Sequence, residues 1–232
     1  MNAKDIKHQL LALGNAEKAA HSAYYFRTGK GQYGEGDKFI GITTPEMKSV
    51  VKTYKSLPID ELELLLSDEY HECRICAVLI LVELFKKADE FKRGNIVDFY
   101  LSHSQYVNNW DLVDVSCHVI LGEWLLDKDR SILYDLSKSN SLWDQRIAMV
   151  STLTFIRQND FKDTLLLSEI YLTHKHDLIH KASGWMLREV GKRDESALTG
   201  FLDVYHKLMP RTMLRYAIEK LSPLQKKHYM TK

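Results

Sequence analysis

The segment from Asn109 to Asp114 holds the residue types best suited to chemistry on a charged group. On a helix, Trp110 and Asp114 are four residues apart and therefore share one face, about one turn from each other. An indole and a carboxylate on one surface is unusual, because a buried Trp normally has apolar neighbours and an unpaired Asp resists burial. The alternative is structural: Trp110 lies in the core, and Asp114 caps a helix or pairs with an arginine of a neighbouring repeat.

Two later segments could complete a site around this pair. Arg146 ends the run Leu-Trp-Asp-Gln-Arg at 142–146, and Trp185 follows Gly184 further along the chain. We expect Arg146 to lie near Asp114, and the missing side chain of Gly184 to open a small hollow beside Trp185. The predicted site is then an aromatic box with one anion and one cation that can reach a phosphate, formed by Trp110, Asp114, Arg146 and Trp185.

The elements that must position these residues are predicted to be helices. Apolar residues recur at the i, i+3, i+4 spacing of amphipathic helices, and no stretch shows sustained period-two alternation. This spacing is seen at Leu62, Leu65 and Leu66, at Val78, Leu81, Val82 and Phe85, and at Leu121, Trp124 and Leu125. Thr44 followed by Pro45 predicts a helix start with Thr44 as the N-cap. The sequence therefore predicts an all-α fold.

Polar residues also recur once per helical segment, which indicates internal repeats. They are separated by 40, 32, 35 and 34 residues, each enough for two helices and a turn. The five positions are Arg74, Asp114, Arg146, Lys181 and Arg215. This period is typical of HEAT-like repeats, which stack into a solenoid whose inner helices line a concave face. We expect a HEAT-like helical-repeat solenoid in which the five polar positions project onto one common surface.

The Gly-rich segment at 28–38 interrupts the helical pattern and predicts a mobile or ligand-contacting loop. It contains G-x-G-x-x-G, but the residues before it are helical in character, and dinucleotide binding requires a preceding strand. Two interpretations stay open: a basic and aromatic loop beside a DNA backbone, with Lys30, Tyr33 and Lys38, or a plain connection between helices.

Two groups of possible metal ligands are more simply structural. Cys73 and Cys76 form one C-x-x-C inside an apolar helical stretch, without the second pair that structural zinc needs. His174, His176 and His180 fall in a predicted turn with no evident fourth ligand. We expect no metal and no cofactor.

Length and composition fit one large domain or two small ones, and we expect a single domain over 1–232 with the loop at 28–38. The longest apolar run, 75–82, is far shorter than the ~20 residues that span a bilayer. The start of the chain lacks a hydrophobic signal core, and three cysteines are too few for a disulfide framework, so we expect a cytoplasmic location. Net charge is only +1, but residues 174–232 hold twelve Lys and Arg against six Asp and Glu. One basic face for a polyanion is compatible with this polarisation.

Four separated motifs closely resemble the HEAT-like repeat DNA glycosylases of the AlkD type. They are Trp-Asp-Leu-Val-Asp at 110–114, Leu-Trp-Asp-Gln-Arg at 142–146, the segment 181–192, and Phe-Ile-Gly-Ile-Thr-Thr-Pro at 39–45. The resemblance runs from about residue 20 to about residue 220. It implies DNA alkylation repair by hydrolysis of the N-glycosidic bond of cationic bases, such as 7-methylguanine and 3-methyladenine, in duplex DNA.

The same resemblance assigns roles to individual residues. Asp114, Trp110 and Trp185 match the catalytic cluster, and Arg146 matches a backbone-contacting arginine. The other expected DNA contacts are Lys181, Arg188, Lys48, Thr44 and Tyr25. We expect double-stranded DNA with alkylated bases as the partner, no membrane and a monomer. Two alternatives stay open: a non-catalytic helical-repeat protein that binds branched or damaged DNA, and a protein–protein solenoid.

Overall fold

The structure is a computed structural model that describes residues 2–231. Regular structure in this part of the chain is helical, apart from one isolated bridge between Lys38 and Tyr70. The predicted all-α class is therefore confirmed. The chain divides between Ser116 and Cys117 into two compact units, and the single domain predicted for 1–232 stays a prediction. No helix within the described residues has both the length and the apolar composition that crossing a membrane requires.

The first unit is built around α5, which packs against α1, α3, α4 and α6. Most of α5 is buried, and its apolar residues, including Cys76, Ile80 and Phe85, form a core with these neighbours. A 3₁₀ turn at Ser104–Tyr106 precedes α7. The helices that begin in this unit are α1 (Ala3–Ala12), α2 (Ala16–Tyr25), α3 (Thr44–Thr53), α4 (Ile59–Leu66), α5 (His71–Lys87), α6 (Glu90–Ser102) and α7 (Trp110–Cys117).

The second unit is built around α12, which packs against α9, α10, α11, α13 and α14. Its core joins Leu187 of α12 to Leu198 and Leu202 of α13 and to Met213 and Leu214 of α14. A 3₁₀ turn at Tyr171–Thr173 precedes α12. The helices are α8 (Ser131–Ser137), α9 (Leu142–Ser151), α10 (Leu153–Arg157), α11 (Lys162–Ile170), α12 (Asp177–Arg193), α13 (Glu195–Tyr205), α14 (Arg211–Ala217) and α15 (Pro223–Met230).

A π-helical turn at His118–Gly122 follows α7, where the spacing of Leu121, Trp124 and Leu125 predicts regular helix. Wider turns of this kind disturb the regular i→i−4 hydrogen bonding. Here the hydroxyl of Ser151 donates to the carbonyl of Cys117 at 3.3 Å, and the hydroxyl of Thr154 donates to the carbonyl of His118. These bonds from α9 and α10 satisfy backbone oxygens at the irregular turn.

Helix starts follow the polar residues that cap them. The helix predicted from Thr44-Pro45 exists, but its N-cap is Thr43, so the prediction of Thr44 as the cap is wrong. The Thr43 hydroxyl accepts from the Glu46 backbone, and the Glu46 carboxylate accepts from the Thr43 backbone at 2.8 Å. This reciprocal capping box satisfies two free backbone donors and fixes the start one residue earlier.

The five recurring polar residues all lie in helices: Arg74 in α5, Asp114 in α7, Arg146 in α9, Lys181 in α12 and Arg215 in α14. The expectation that all five project onto one surface is wrong for Arg74 and Arg146, which are 4% and 5% exposed. Both guanidinium groups hydrogen-bond inside their own unit, Arg74 to Asp37 and Arg146 to the carbonyl of Leu178. Burial of a charge is tolerated because these partners satisfy it.

Candidate functional site

Trp110 and Asp114 lie on α7, one turn apart, and both side chains are partly exposed. Trp110 is the first residue of the helix, and the side-chain oxygen of Asn109 accepts from its backbone N–H at 2.8 Å. Leu112 and Val113, between the pair in sequence, are fully buried and hold the opposite side of α7 in the core. Trp110 and Asp114 therefore share one face of α7, as their spacing predicts, and their role in a site stays a prediction.

The Trp110 indole lies at the end of a stack of rings. It stacks on Phe26 with ring centroids 5.4 Å apart, and Tyr25 meets it edge-on at 6.1 Å. Phe26 stacks in turn on Phe39 at 5.1 Å, and His71 lies against both phenylalanines at 5.0 and 4.7 Å. Tyr25 is 58% exposed, so this end of the stack faces solvent while the His71 end is buried.

A buried ion network underlies the stack. His71 is 3% exposed, with Nδ1 3.2 Å from Asp37 and Nε2 2.8 Å from Asp111. Arg74 binds the other oxygen of Asp37, and the amide of Asn109 donates to Asp37 at 3.2 Å. Two cations therefore face two carboxylates, which is how buried charges are tolerated.

The ionisation of this network follows from its contacts. Burial alone lowers the pKa of His71, but the hydrogen bonds to Asp111 and Asp37 outweigh it and raise the pKa to about 9. Burial likewise works against the ionised form of Asp37, yet the hydrogen bond from His71 and the charge of Arg74 hold the pKa of Asp37 below its usual value. At neutral pH, His71 is an imidazolium ion between two carboxylates.

The Gly-rich loop supplies Asp37 and is folded onto the first unit. The N–H of Gly34 donates to the carbonyl of Arg27 at 3.1 Å, and Lys38 pairs with Glu69 at 2.5 Å. The residues before the loop form α2, which confirms that the G-x-G-x-x-G does not follow a strand. Lys30 is exposed, and contact of this loop with DNA stays a prediction.

The segment Phe39–Pro45 is fixed by the carboxylate of Glu72. Its two oxygens accept from the N–H groups of Ile40 and Gly41 at 2.9 and 2.8 Å. Gly41 has φ +86°, and a Cβ there would collide with the carbonyl of Asn15, so glycine is required. Thr44 and Lys48, predicted to contact DNA, follow on α3 and are exposed.

The second unit contains the remaining predicted site residues. Trp185 is partly exposed on α12, and its Nε1 donates to Glu189 at 3.2 Å. The hollow predicted beside it is absent, because a Cβ at Gly184 would lie 2.5 Å from both the carbonyl of Met213 and the Cβ of Tyr216. Gly184 instead allows α12 and α14 to pack closely.

The basic residues of this unit differ in their exposure. Lys181 pairs with Asp177 at 2.7 Å and lines a pocket of about 480 Å³ together with Arg215. Arg188 is partly buried and binds Glu219. Arg146 donates from Nη1 to the Leu178 carbonyl at 2.7 Å, near the start of α12. Its burial favours a role in holding α12, and its contact with a DNA backbone stays a prediction.

The three histidines at the start of α12 shape a turn. His174 Nε2 lies 2.8 Å from the side-chain oxygen of Gln145, and His180 Nε2 lies 2.6 Å from the carbonyl of His174. His176 caps α12 by accepting from the N–H of Leu178. Burial lowers the pKa of His174 and His176. Within residues 2–231 no group of three or more His, Cys, Asp or Glu is arranged to hold a metal ion.

Sequence patterns missed His71, Asp37 and Asp111, although Arg74 was singled out as a repeat position. The contacts join residues 34, 40 and 72 positions apart, whereas helical periodicity reports only neighbours three or four apart. The available signal was an uncommon density of polar residues around a helix start, His-Glu-Cys-Arg at 71–74, just before the most apolar run of the chain.

Two solved structures share the fold of this chain. A predicted DNA alkylation repair enzyme from Enterococcus faecalis aligns with a TM-score of 0.73 and 18% identity, over 90% of this chain and 97% of that one. A second structure aligns with a TM-score of 0.58 and 15% identity, over 90% and 83%. It is from a family of proteins related to the HEAT-like repeat DNA glycosylases, with affinity for branched DNA structures. The predicted HEAT-like fold is confirmed.

The sequence itself assigns the family. A model of the family described as DNA alkylation repair enzyme matches residues 6–221, nearly the whole chain. The protein belongs to this DNA alkylation repair enzyme family, which confirms the resemblance drawn from its motifs. A comparison with curated proteins finds no match.

Proposed function

We propose that the protein is a DNA glycosylase that hydrolyses the N-glycosidic bond of cationic alkylated purines, of the 7-methylguanine and 3-methyladenine class, in duplex DNA. The observation that carries the proposal is the Trp110–Asp114 pair: a carboxylate and an indole on one accessible face of α7, in a chain of the DNA alkylation repair family.

The chemistry of a cationic base suits such a pair. The bond between C1′ and the base nitrogen breaks with its electron pair going to the base, which leaves neutral, so no general acid is needed. The sugar becomes oxocarbenium-like in the transition state, and a fixed carboxylate at Asp114 stabilises that charge and orients the water that attacks C1′. The proton of that water leaves to solvent, and neutral bases, which are poor leaving groups, are weak substrates.

Aromatic and basic side chains supply recognition. The faces of Trp110 and Trp185 each contribute a cation–π attraction of ~0.5–2 kcal/mol to a positively charged group. Phosphates are held by Lys181, Arg188, Lys48, Thr44 and Tyr25, contacts that fix register without specifying sequence. The assignment is best supported for the residues whose side chains are accessible, which are Lys181, Lys48, Thr44 and Tyr25.

The proposal is tested by release of 7-methylguanine from duplex DNA by the purified protein and by an Asp114→Asn variant. We expect wild type to release the base, and the variant to lose roughly 2.7–4 kcal/mol of transition-state stabilisation, about 10²- to 10³-fold in rate. Asp98→Asn, which neutralises an exposed carboxylate of α6, serves as the matched control and should act like wild type.

Wild-type release no faster than spontaneous depurination would contradict the proposal. The second candidate would then apply: a non-catalytic protein that binds branched or damaged DNA, favoured by the structural likeness to a protein family with affinity for branched DNA. In that case a four-way junction should compete more strongly than a duplex of equal length, and Asp114→Asn should leave binding unchanged.

A further inference from the structure

The start of α7 is tied to the rest of the first unit at two consecutive points. Asn109, fully buried, donates from its side-chain amide to Asp37 at 3.2 Å and accepts the Trp110 N–H at 2.8 Å. Asp111 accepts from His71 through one oxygen at 2.8 Å and from the N–H of Leu112 through the other at 2.9 Å. Trp110 lies between these two anchors.

The ring of Trp110 is also linked to His71, through the stack of aromatic rings. His71 contacts Phe26 and Phe39, and Phe26 carries the Trp110 indole. Backbone and side chain of Trp110 thus both depend on the position of the buried His71. Asp114 follows one turn later on the same helix.

We propose that Asp37, His71, Asn109 and Asp111 are positioning residues that fix the Trp110 indole and the Asp114 carboxylate for base excision, an inference that rests on the proposed function. None of the four is placed against the substrate. They act through α7 and through the ring stack.

The physical reason is that the network has one arrangement that satisfies all its charges. The imidazolium has two N–H groups and each faces a carboxylate, while Arg74 supplies the second positive charge to Asp37. Rotation of His71 or withdrawal of α7 would leave a buried charge without its partner, which is costly. A site whose supporting shell is fixed in this way holds its reacting groups in place, and displacement by about 1 Å can reduce a rate about a hundredfold.

The first test observes Trp110 directly, without any DNA. The ¹H–¹⁵N spectrum shows the indole N–H of each of the four tryptophans, and Trp110→Phe identifies the Trp110 signal. In His71→Gln and in Asp111→Asn we expect this signal to shift or broaden. The signals of Trp124, Trp143 and Trp185, which lie in the second unit, should stay in place. Asp98→Asn is the control and should move none of the four.

The second test separates positioning from binding. We expect the single-turnover rate of 7-methylguanine release at saturating protein to fall between about ten- and a hundredfold in both variants. The Kd for undamaged duplex should change little, because none of the network residues is placed against DNA. A defect in DNA binding would instead weaken the Kd and leave the single-turnover rate at saturating protein nearly unchanged.

Removing one member of a charge pair could unfold the unit, so a double variant accompanies the single ones. His71→Gln combined with Asp111→Asn removes one cation and one anion together, leaving Asp37 paired with Arg74 and no buried charge uncompensated. This variant should fold, as judged by its circular dichroism and thermal transition, and should still show the displaced Trp110 signal and the reduced rate.

Several outcomes would overturn the inference. A folded double variant with wild-type rate and an unmoved Trp110 signal would do so, and so would a reduced rate with an unmoved signal. If wild type releases no base, the proposed function fails by itself. The Trp110 signal then still decides whether the network fixes the ring.

Discussion

At the scale of single residues, the chemistry of the first unit is governed by a histidine that is charged although it is buried. His71 is 3% exposed and still carries a proton on each nitrogen, because Asp37 and Asp111 lie at hydrogen-bond distance on its two sides. Flanking phenylalanine rings add a cation–π contribution of the same sign. The folded state therefore binds one proton more tightly than the unfolded chain does.

This difference predicts a pH dependence of stability. The pKa of His71 rises from 6.5 in the unfolded chain to about 9 in the folded one, a contribution of about 3 kcal/mol to the free energy of unfolding. The contribution is complete below about pH 6.5 and is lost as the pH rises through about 9. Urea unfolding of wild type and of His71→Gln, at about five pH values between about 6 and 10, measures this contribution to the free energy of unfolding.

The gap between the two free energies should narrow as the pH rises. The exposed His8→Gln serves as control and should run parallel to wild type over the same range. A wild-type curve that stays parallel to that of His71→Gln would show that His71 gains no proton affinity on folding.

At the scale of elements, helix positions follow closely from periodicity and caps, while contacts between helices do not. The polar residues chosen from the repeat pattern fall on α5, α7, α9, α12 and α14 as expected. Their surroundings differ, because periodicity shows which residues share a face but not what that face meets. Gly184 illustrates this: the sequence suggested a hollow beside Trp185, and the structure has the backbone of α14 there instead.

Substitution of two glycines in the second unit should change the free energy of unfolding in opposite directions. Gly184→Ala introduces a methyl group 2.5 Å from the Met213 carbonyl and should lower the free energy of unfolding by about 1–3 kcal/mol through overpacking. Gly200 lies in α13 with open space around the position of an added Cβ. Gly200→Ala should therefore raise the free energy of unfolding by about 0.5–1 kcal/mol, because alanine has the higher helix propensity. Guanidinium chloride unfolding of both variants provides the measurement. Equal effects in both would contradict the close packing of α12 on α14.

At the scale of the whole molecule, the sequence predicted the fold class, the repeat type and the family, because these depend on patterns spread over the entire chain. It did not predict the ion network, which depends on single contacts between distant residues such as Asp37 and Asn109. The net charge of the chain likewise does not show how charge is distributed along it. A net charge of +1 conceals twelve basic against six acidic residues in 174–232, and Lys181 and Arg215 line one pocket there.

That local excess predicts how DNA binding responds to salt. Each phosphate contact removed should reduce the slope of log K against log salt concentration by about 0.9. Lys181→Gln with Arg215→Gln should therefore flatten the slope by about 2, whereas Lys92→Gln on α6 should leave it unchanged. Fluorescence anisotropy with a duplex at several salt concentrations gives the slopes. An unchanged slope in the double variant would remove this pocket from the DNA contact.

The three cysteines acquire a meaning from the proposed function. The thiols of Cys73, Cys76 and Cys117 have no exposed surface, and burial raises the pKa of Cys76 to about 12 and raises that of Cys73 as well. Only the thiolate is strongly nucleophilic. Electrophiles that methylate the genome would attack accessible thiolates as well, so a repair protein working during such exposure needs its own sulfur atoms to be unreactive. Burial in the folded core shields these three thiols from such electrophiles, and under the proposed function this would let the protein act while the DNA is being methylated.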